Sequence, residues 1–239
     1  MGSGVLSVLE AGGTEATVWV RDAAALPLWE TAAPLRTLLG WWPPSVGGTL
    51  AHGAAVGTER GGVLLAARGG SGKSTTALAC LDAGLHYAGD DYVVVTGGAA
   101  PQIHSLYASA KLVPAHFEAA LPHLAAHAEA PGADPEGKAV HLLHEAFEDP
   151  LAERMPLRAL VVPHVARTEA PALTPLSPRD ALQALAPTTV FQLPGAGGGT
   201  LSLLAEVVER VPAYALGLSH RLGANVEAIR VLIDREADA

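Results

Sequence analysis

Apolar residues along this chain fall into short runs that alternate with longer segments of helical periodicity. Short runs bounded by glycine or proline predict strands, and the longer segments predict helices. The predicted strands are residues 16–20, 49–56, 62–67, 92–96, 157–163 and 214–218, and the predicted helices are residues 74–82, 113–130, a helix that starts at 177–178, 200–211 and 224–236. Interleaved strands and helices predict an α/β fold whose ligand lies at the carboxyl ends of the strands.

The order of these elements also predicts how the chain is organised. Its 239 residues suit one α/β domain with a small appendage. Residues 1–46 hold one predicted strand and a proline-rich stretch, and we expect them to form a segment that packs on the core. Residues 47–239 are expected to form the main domain, in which residues 57–61 join two apolar runs as a hairpin and residues 131–137 form a loop.

A glycine-rich segment lies between the predicted strand 62–67 and the predicted helix 74–82, which is the setting of a P-loop. Glycines let backbone N–H groups converge on a triphosphate at a helix N-terminus, where the helix dipole favours negative charge. In such a loop Lys73 reaches the β- and γ-phosphates and the Ser74 hydroxyl faces Mg²⁺. The predicted nucleotide-binding residues are Gly69, Gly70, Ser71, Gly72, Lys73, Ser74 and Thr75.

The segment departs from the full P-loop pattern at its first position, where Ala67 replaces glycine. An alanine can make the bend between strand and loop if its φ angle is negative. The lysine usage supports the phosphate-binding interpretation, because the chain has three lysines, at 73, 111 and 138, and one of them is the P-loop lysine. The other interpretation is a glycine-rich turn that contains Gly-Lys-Ser by chance.

Charge and cysteine content narrow the possible partners. The net charge of −9 and the lack of a basic stripe argue against nucleic acid and anionic membranes as partners. The single Cys80 excludes an intramolecular disulfide, and its place on a predicted helix suggests a buried side chain. No apolar run approaches the roughly 18–20 residues that span a bilayer, and the chain starts without a basic targeting region. We therefore expect a cytoplasmic protein.

Two adjacent carboxylates, Asp90 and Asp91, follow Lys73 by 17 and 18 residues, immediately beyond the predicted P-loop helix. His52-Gly53 lies on the strand before the hairpin that leads into the loop. With the P-loop and the strand at 92–96, this arrangement resembles the catalytic domain of the HPr kinase/phosphorylase family and its smaller serine-kinase relatives. The resemblance is specific over residues 47–96 and loose beyond them.

The resemblance implies a P-loop fold similar to the nucleotide-binding domain of phosphoenolpyruvate carboxykinase, with ATP and Mg²⁺ as cofactors. By position, it makes Asp90 the group that accepts a proton from the substrate hydroxyl. Asp91 would hold Mg²⁺ together with Ser74, and His52 would tune the pair of carboxylates. The predicted catalytic residues are therefore Asp90, His52 and Lys73. The resemblance also suggests a homo-oligomer.

The chain departs from that family in two ways. Only 51 residues precede His52, so we expect no counterpart of the separate N-terminal domain of HPr kinases. The signature that follows the aspartates in the family, with its metal-binding glutamate, is replaced by residues 97–112. The remaining similarity is to stand-alone kinases, some of which phosphorylate serine on precursor peptides such as lasso peptides.

The predicted function is therefore an ATP- and Mg²⁺-dependent kinase that phosphorylates a serine-type hydroxyl of a peptide or small protein. Because the enzyme is acidic, we expect a neutral or basic peptide, bound in a groove bordered by residues 41–44 (Trp-Trp-Pro-Pro). Two alternatives remain open. The first is a small-molecule kinase that acts, for example, on a free amino acid. The second is a regulator that binds a nucleotide but does not catalyse phosphoryl transfer.

Further basic residues lie outside the main motifs. Lys111 and Lys138 are candidates to contact nucleotide or substrate, because a second cation stabilises the charge that develops during phosphoryl transfer. Two histidine pairs have helical spacing, His123 with His127 and His141 with His144. No glutamate follows His123 and no cysteine accompanies either pair, so surface histidines are favoured over a metal site.

Overall fold

The computed structural model describes residues 4–113, 121–122, 137–145, 150–190 and 198–239. The strands are β1 (Val5–Leu9), β2 (Ala16–Val20), β3 (Gly48–His52), β4 (Ala54–Thr58), β5 (Gly61–Leu65), β6 (His86–Gly89), β7 (Tyr92–Thr96), β8 (Gln102–His104), β9 (Ser109–Leu112), β10 (Ala139–Leu142), β11 (Arg154–Thr168), β12 (Ala172–Leu176) and β13 (Ala213–Ser219). The helices are α1 (Leu28–Ala32), α2 (Arg36–Trp41), α3 (Lys73–Asp82), α4 (Pro178–Val190), α5 (Gly198–Arg210) and α6 (Leu222–Ala237). Short 3₁₀ turns cover Ala23–Ala25, Pro43–Val46 and Leu143–Glu145.

A mixed central sheet organises the fold. Among the described residues it has nine strands in the order β3-β7-β8-β11-β5-β4-β6, and β13 pairs with β11 and β12. The long strand β11 joins its two parts: residues 154–156 pair antiparallel with β8, and later residues pair in parallel with β5 and β13. The carboxyl ends of β5, β11 and β13 therefore meet at one edge. Open α/β sheets bind ligands at such an edge.

Both faces of this sheet are covered by helices, which explains the continuous apolar run in β5. Val63 and Leu65 pack on the face that carries α3 and α6, whereas Leu64 packs on the face that carries α4 and α5. Alternate residues of a strand point to opposite faces, so a strand buried on both faces has no polar positions. Burial on both sides fixes the loop that follows β5 between two helical layers.

The predicted α/β class is correct, and most predicted elements are present. The strands at 16–20, 92–96, 157–163 and 214–218 are confirmed, as are the helices after residue 177 and at both ends of β13. Ser177 caps α4 as predicted, because its hydroxyl accepts a hydrogen bond from the N–H of Asp180 at 3.2 Å. The predicted strand 49–56 is instead two strands, β3 and β4, that are separated at Gly53.

Several predicted features fall wholly or partly on undescribed residues. The predicted helix 113–130 and the loop 131–137 lie almost entirely outside the described ranges, as does the histidine pair 123 and 127. No helix in the described ranges has the length and apolar character needed to cross a membrane. Cys80 is buried on α3, as predicted, and burial raises the pKa of its thiol to about 12.

The N-terminal segment contacts the sheet through a small apolar cluster. Ala33 packs with Leu50 and Tyr92 in this cluster. The Tyr107 hydroxyl donates a hydrogen bond to the carbonyl of Pro34 at 2.8 Å, and the Ser109 hydroxyl donates one to the carbonyl of Ala32 at 2.8 Å. These contacts hold residues 32–34 against the strands that flank Asp91. The domain boundary at 46/47 stays a prediction.

Candidate active site

The glycine-rich loop, residues 69–75, follows β5 and runs directly into α3, which begins at Lys73. Gly70 and Gly72 have φ angles of +77° and +92°, a region that side chains disfavour. A Cβ atom on Gly72 would lie 2.5 Å from Cδ1 of Leu218 at the end of β13. The backbone conformation at position 72 therefore favours glycine, and a side chain there would also require Leu218 to shift. Gly69 and Gly70, in contrast, have open space where a side chain would lie.

Lys73 turns back over the start of the loop. Its Nζ donates a hydrogen bond to the carbonyl of Ala67 at 2.6 Å, and the residue is 7% exposed. Burial lowers the pKa of Lys73, while Asp90 and Asp91 act in the opposite direction. Ala67 does not have a positive φ angle, so it makes the bend in the way expected for an alanine. Glycine is therefore not required at position 67 for the backbone conformation of this bend.

Asp90 lies at the end of β6 and is 3% exposed. Within the described part of the chain, neither of its carboxylate oxygens has a hydrogen-bond partner. Burial, reinforced by the neighbouring Asp91 charge, raises the pKa of Asp90 to about 6, although Ser74 and Lys73 act to lower it. A buried carboxylate whose neighbours only partly compensate its charge is costly and favours the binding of a cation or a proton.

Asp91 has a different environment from that of its neighbour. Its φ angle is +67°, which is uncommon for a non-glycine residue and marks backbone strain of the kind found at functional sites. Its Oδ2 lies 2.5 Å from Nζ of Lys111, and its Oδ1 lies 3.9 Å from Nε2 of His52. Burial alone would raise the pKa of Asp91, but Lys111, His52 and Lys138 lower it below its usual value. Asp91 is therefore ionised at neutral pH.

The pair His52-Gly53 supports the strained turn at Asp91. The Gly53 N–H donates a hydrogen bond to the carbonyl of Asp91 at 3.1 Å. A Cβ atom on Gly53 would lie 2.8 Å from the carbonyl oxygen of Leu65, so this close approach requires glycine. The His52 N–H donates a hydrogen bond to the Thr189 hydroxyl at 3.0 Å, which ties β3 to α4.

The His52 imidazole is neutral at physiological pH. Burial and the Lys73 charge lower its pKa to about 4, despite the opposing effect of Asp91. Its ring lies 5.5 Å from that of Tyr92, and its buried Nδ1 has no partner among the described residues. A neutral imidazole beside Asp91 can exchange a hydrogen bond with a ligand but adds no charge.

One cavity collects most of these groups. It has a volume of about 370 Å³ and is lined by residues 69–75, His52, Asp91, Lys111 and Lys138. All three lysines of the chain therefore border a single cavity, although the protein as a whole carries a net charge of −9. Lys111 and Lys138 reach it from β9 and from the residue before β10, two strands that pair antiparallel. Convergent cations of this kind suit a polyanionic ligand.

The structure thus brings the predicted site residues together. His52, Asp91 and the whole glycine-rich loop line the same cavity, and Asp90 is buried next to Asp91. Residues 41–44, which were predicted to border a substrate groove, line neither cavity that the loop borders in the described part of the chain. Trp41 instead lines a separate cavity of about 150 Å³ beside β1 and α2. Thr189 was missed, because nothing near it in the sequence marks a contact with His52.

Comparisons with known proteins give a likeness at the level of the fold. Neither a scan against protein-family profiles nor a search of curated proteins found a match. Among solved structures, the chain is similar to the Hpr(Ser) kinase/phosphatase from Coxiella burnetii, with 10% sequence identity and a TM-score of 0.43. The alignment covers 78% of this chain and 95% of that one. This likeness is distant and assigns the chain to no family.

The residues present fit a bound nucleotide and a divalent cation. Open space over Gly69 and Gly70 leaves the loop backbone accessible, and the buried Ser71 hydroxyl has no partner among the described residues. The adjacent carboxylates of Asp90 and Asp91 offer oxygens, the ligand type that Mg²⁺ prefers, and Asp91 lines the cavity. No group of three or more His, Cys, Asp or Glu side chains with metal-site geometry occurs in the described ranges. Mg²⁺ in kinases commonly takes one or two carboxylates and the substrate phosphates instead.

The raised pKa of Asp90 predicts a pH-dependent cost to folding. The pKa of Asp90 is about 6 in the folded protein and near 3.8 in the unfolded chain, so folding favours the protonated carboxyl. This contribution to the free energy of unfolding is fully present below pH ~4 and is lost as the pH rises through 6, where the folded protein has to bury a charged carboxylate. Asp90→Asn should therefore stabilise the unliganded protein at pH ~7.5, by on the order of 1–3 kcal/mol, and much less at pH ~4.5. Urea unfolding at both pH values measures this, with the exposed Glu209→Gln as control. An equal effect at both pH values would contradict it.

Proposed function

We propose that this chain is an ATP- and Mg²⁺-dependent kinase that transfers a phosphoryl group to an alcohol, most simply a serine-type hydroxyl. The observation that carries the proposal is the convergence on one cavity of the glycine-rich loop, Lys73, Asp91 and His52, with Asp90 buried beside them. These are the parts that phosphoryl transfer requires: a phosphate cradle, a fixed cation, carboxylates for a metal ion, and a proton acceptor.

The loop and its lysine bind the donor in this proposal. Backbone N–H groups of residues 69–75 and the Lys73 ammonium hold the phosphates, while Ser74 and Asp91 hold Mg²⁺. Mg²⁺ held by these residues would supply positive charge to the phosphates. Lys73 has to leave the Ala67 carbonyl to do this, and the buried position of its ammonium strengthens its attraction for an anion.

The different pKa values of the two aspartates suggest different roles, one as the general base and the other as the metal ligand. A general base works best when its pKa lies near the operating pH, and the pKa of Asp90 is about 6. A metal ligand has to be ionised, and Asp91 has a lowered pKa. Asp90 therefore accepts the proton of the substrate hydroxyl and Asp91 holds the metal. The Ser74 hydroxyl neighbours Asp90, which favours the reverse assignment, and the two asparagine variants distinguish these possibilities.

The acceptor is a serine-bearing peptide or small protein in our first proposal, and a lasso-type precursor peptide is one example. A specific observation favours a second candidate, a small molecule such as a free amino acid. Lys111 and Lys138 line the cavity of about 370 Å³, and residues 41–44 do not border it. A compact acceptor with a carboxylate near its hydroxyl suits those lysines better than a basic peptide does.

Mass spectrometry of candidate acceptors tests the proposal. The protein is incubated with ATP and Mg²⁺ and with either free serine or serine-containing peptides of acidic, neutral and basic charge. One added phosphate on a hydroxyl, lost when Mg²⁺ is chelated, is the expected result. If free serine gains a phosphate and none of the peptides does, the protein is a small-molecule kinase. ATP binding with no phosphorylation of any acceptor would favour a nucleotide-binding regulator that does not turn over.

A further inference from the structure

A second and larger cavity borders the glycine-rich loop, with a volume of about 890 Å³. Its walls come from residues 67–71 of the loop region, from residues 162–165 of β11 and from the exposed face of α4. Gly69, Gly70 and Ser71 line both this cavity and the smaller one, so the loop lies between the two. A ligand that follows the loop can extend from one cavity into the other.

The two cavities differ in chemistry. All three lysines, Asp91 and His52 border the smaller cavity, which makes it the place for phosphates. The larger cavity has apolar walls from Val162, Pro163 and Pro187. Apart from Ser71, its polar lining comes from Arg68 beside the loop, His164, Gln183 and Thr188, and no Asp or Glu is among its lining residues in the described ranges. Apolar walls with a few polar groups are typical of sites that bind the organic part of a ligand.

We propose that the larger cavity holds the nucleoside of the donor nucleotide, with the Gln183 amide at the edge of an adenine base. This inference rests on the proposed kinase function, because it assumes that the triphosphate lies in the loop. A glutamine amide both donates and accepts, so it can pair with the N6 amino group and N7 of adenine. Guanine presents two donors on its Watson–Crick edge, which a carboxylate would bind best, and no carboxylate lines this cavity.

Filling the cavity tests this assignment. Ala184 and Gln183 lie on the cavity side of α4, Ala184 is partly exposed, and Gln183 is exposed, so changes there enter open space. Calorimetric titrations of Ala184→Trp with ATP and with inorganic tripolyphosphate, both with Mg²⁺, separate the nucleoside from the phosphates. We expect ATP affinity to fall about tenfold or more, and tripolyphosphate affinity to change less than about twofold. Gln183→Leu should reduce the preference for ATP over GTP.

A control variant and the wild-type protein keep the outcomes distinct. Arg179→Trp adds the same side chain at an exposed position of α4 outside the cavity lining, and it should bind both ligands like the wild type. Unchanged ATP affinity in Ala184→Trp would overturn the nucleoside assignment, as would equal loss of both ligands with an intact circular dichroism spectrum. The nucleoside assignment would also be overturned if the wild-type protein bound tripolyphosphate as tightly as ATP and GTP. If the wild type binds neither ligand, the proposed kinase function itself fails.

Discussion

Replacing Lys73 with alanine is expected to abolish phosphoryl transfer and to weaken ATP binding by about 10- to 100-fold. The reason is that Lys73 supplies the buried cation of the glycine-rich loop, and a hydrogen bond to a charged group contributes about 1.5–3 kcal/mol. Calorimetric titration with ATP and Mg²⁺ measures the affinity, and the acceptor assay measures transfer. The fold should persist, because the substitution removes a charge whose burial is costly.

Lys138→Ala is the matched control for this variant, since it removes a second lysine charge from the border of the same cavity. It should retain measurable transfer, because Lys138 lies outside the loop that we propose holds the phosphates. Wild-type affinity and turnover in Lys73→Ala would contradict the phosphate-binding role of the loop. Equal losses in the two variants would show that the cavity acts through its total charge, without a special position for Lys73.

Asp90→Asn is expected to keep ATP affinity while lowering the transfer rate by roughly 100-fold or more, the scale of a positioned general base. An amide of the same size cannot accept the proton of the acceptor hydroxyl. Asp91→Asn should instead raise the Mg²⁺ concentration needed for half-maximal transfer, because it removes the proposed metal ligand and the ion-pair partner of Lys111. Titrations of transfer rate against Mg²⁺ for both variants make the comparison.

The opposite pattern would reverse the assignment of the two carboxylates. If Asp90→Asn requires more Mg²⁺ while Asp91→Asn loses transfer at saturating Mg²⁺, then Asp90 and Ser74 hold the metal. The acceptor hydroxyl would in that case approach Asp91 and the neutral His52 from the cavity. Full activity of both variants would remove the aspartate pair from the reaction.

The loop and its helix could be predicted from the sequence because their signals are local. A buried strand, glycines with positive φ and a lysine at the helix start lie within a few residues of one another, and the structure reproduces that order. The break at Gly53 could not be predicted from periodicity. It depends on the Leu65 carbonyl across the hairpin and on the Asp91 carbonyl in the turn between β6 and β7. Both are tertiary contacts.

Other parts of the site depend on contacts between distant residues. The four-residue strand β6 is too short to show periodicity, yet it pairs with β4 and sets Asp90 at the edge of the sheet. Lys111 reaches Asp91 from β9, and Thr189 reaches β3 from α4. The exposed Trp42 and its neighbours suggested a substrate groove from composition alone, but the fold directs Trp41 to a different cavity.

The most direct test of the central claim is a crystal structure with a non-hydrolysable ATP analogue and Mn²⁺, whose anomalous signal locates the metal. We expect the triphosphate within residues 69–75, with the Mn²⁺ bound by the Ser74 hydroxyl and a carboxylate of Asp90 or Asp91. A nucleotide bound away from the glycine-rich loop, or Mn²⁺ bound without contact to either aspartate, would contradict it.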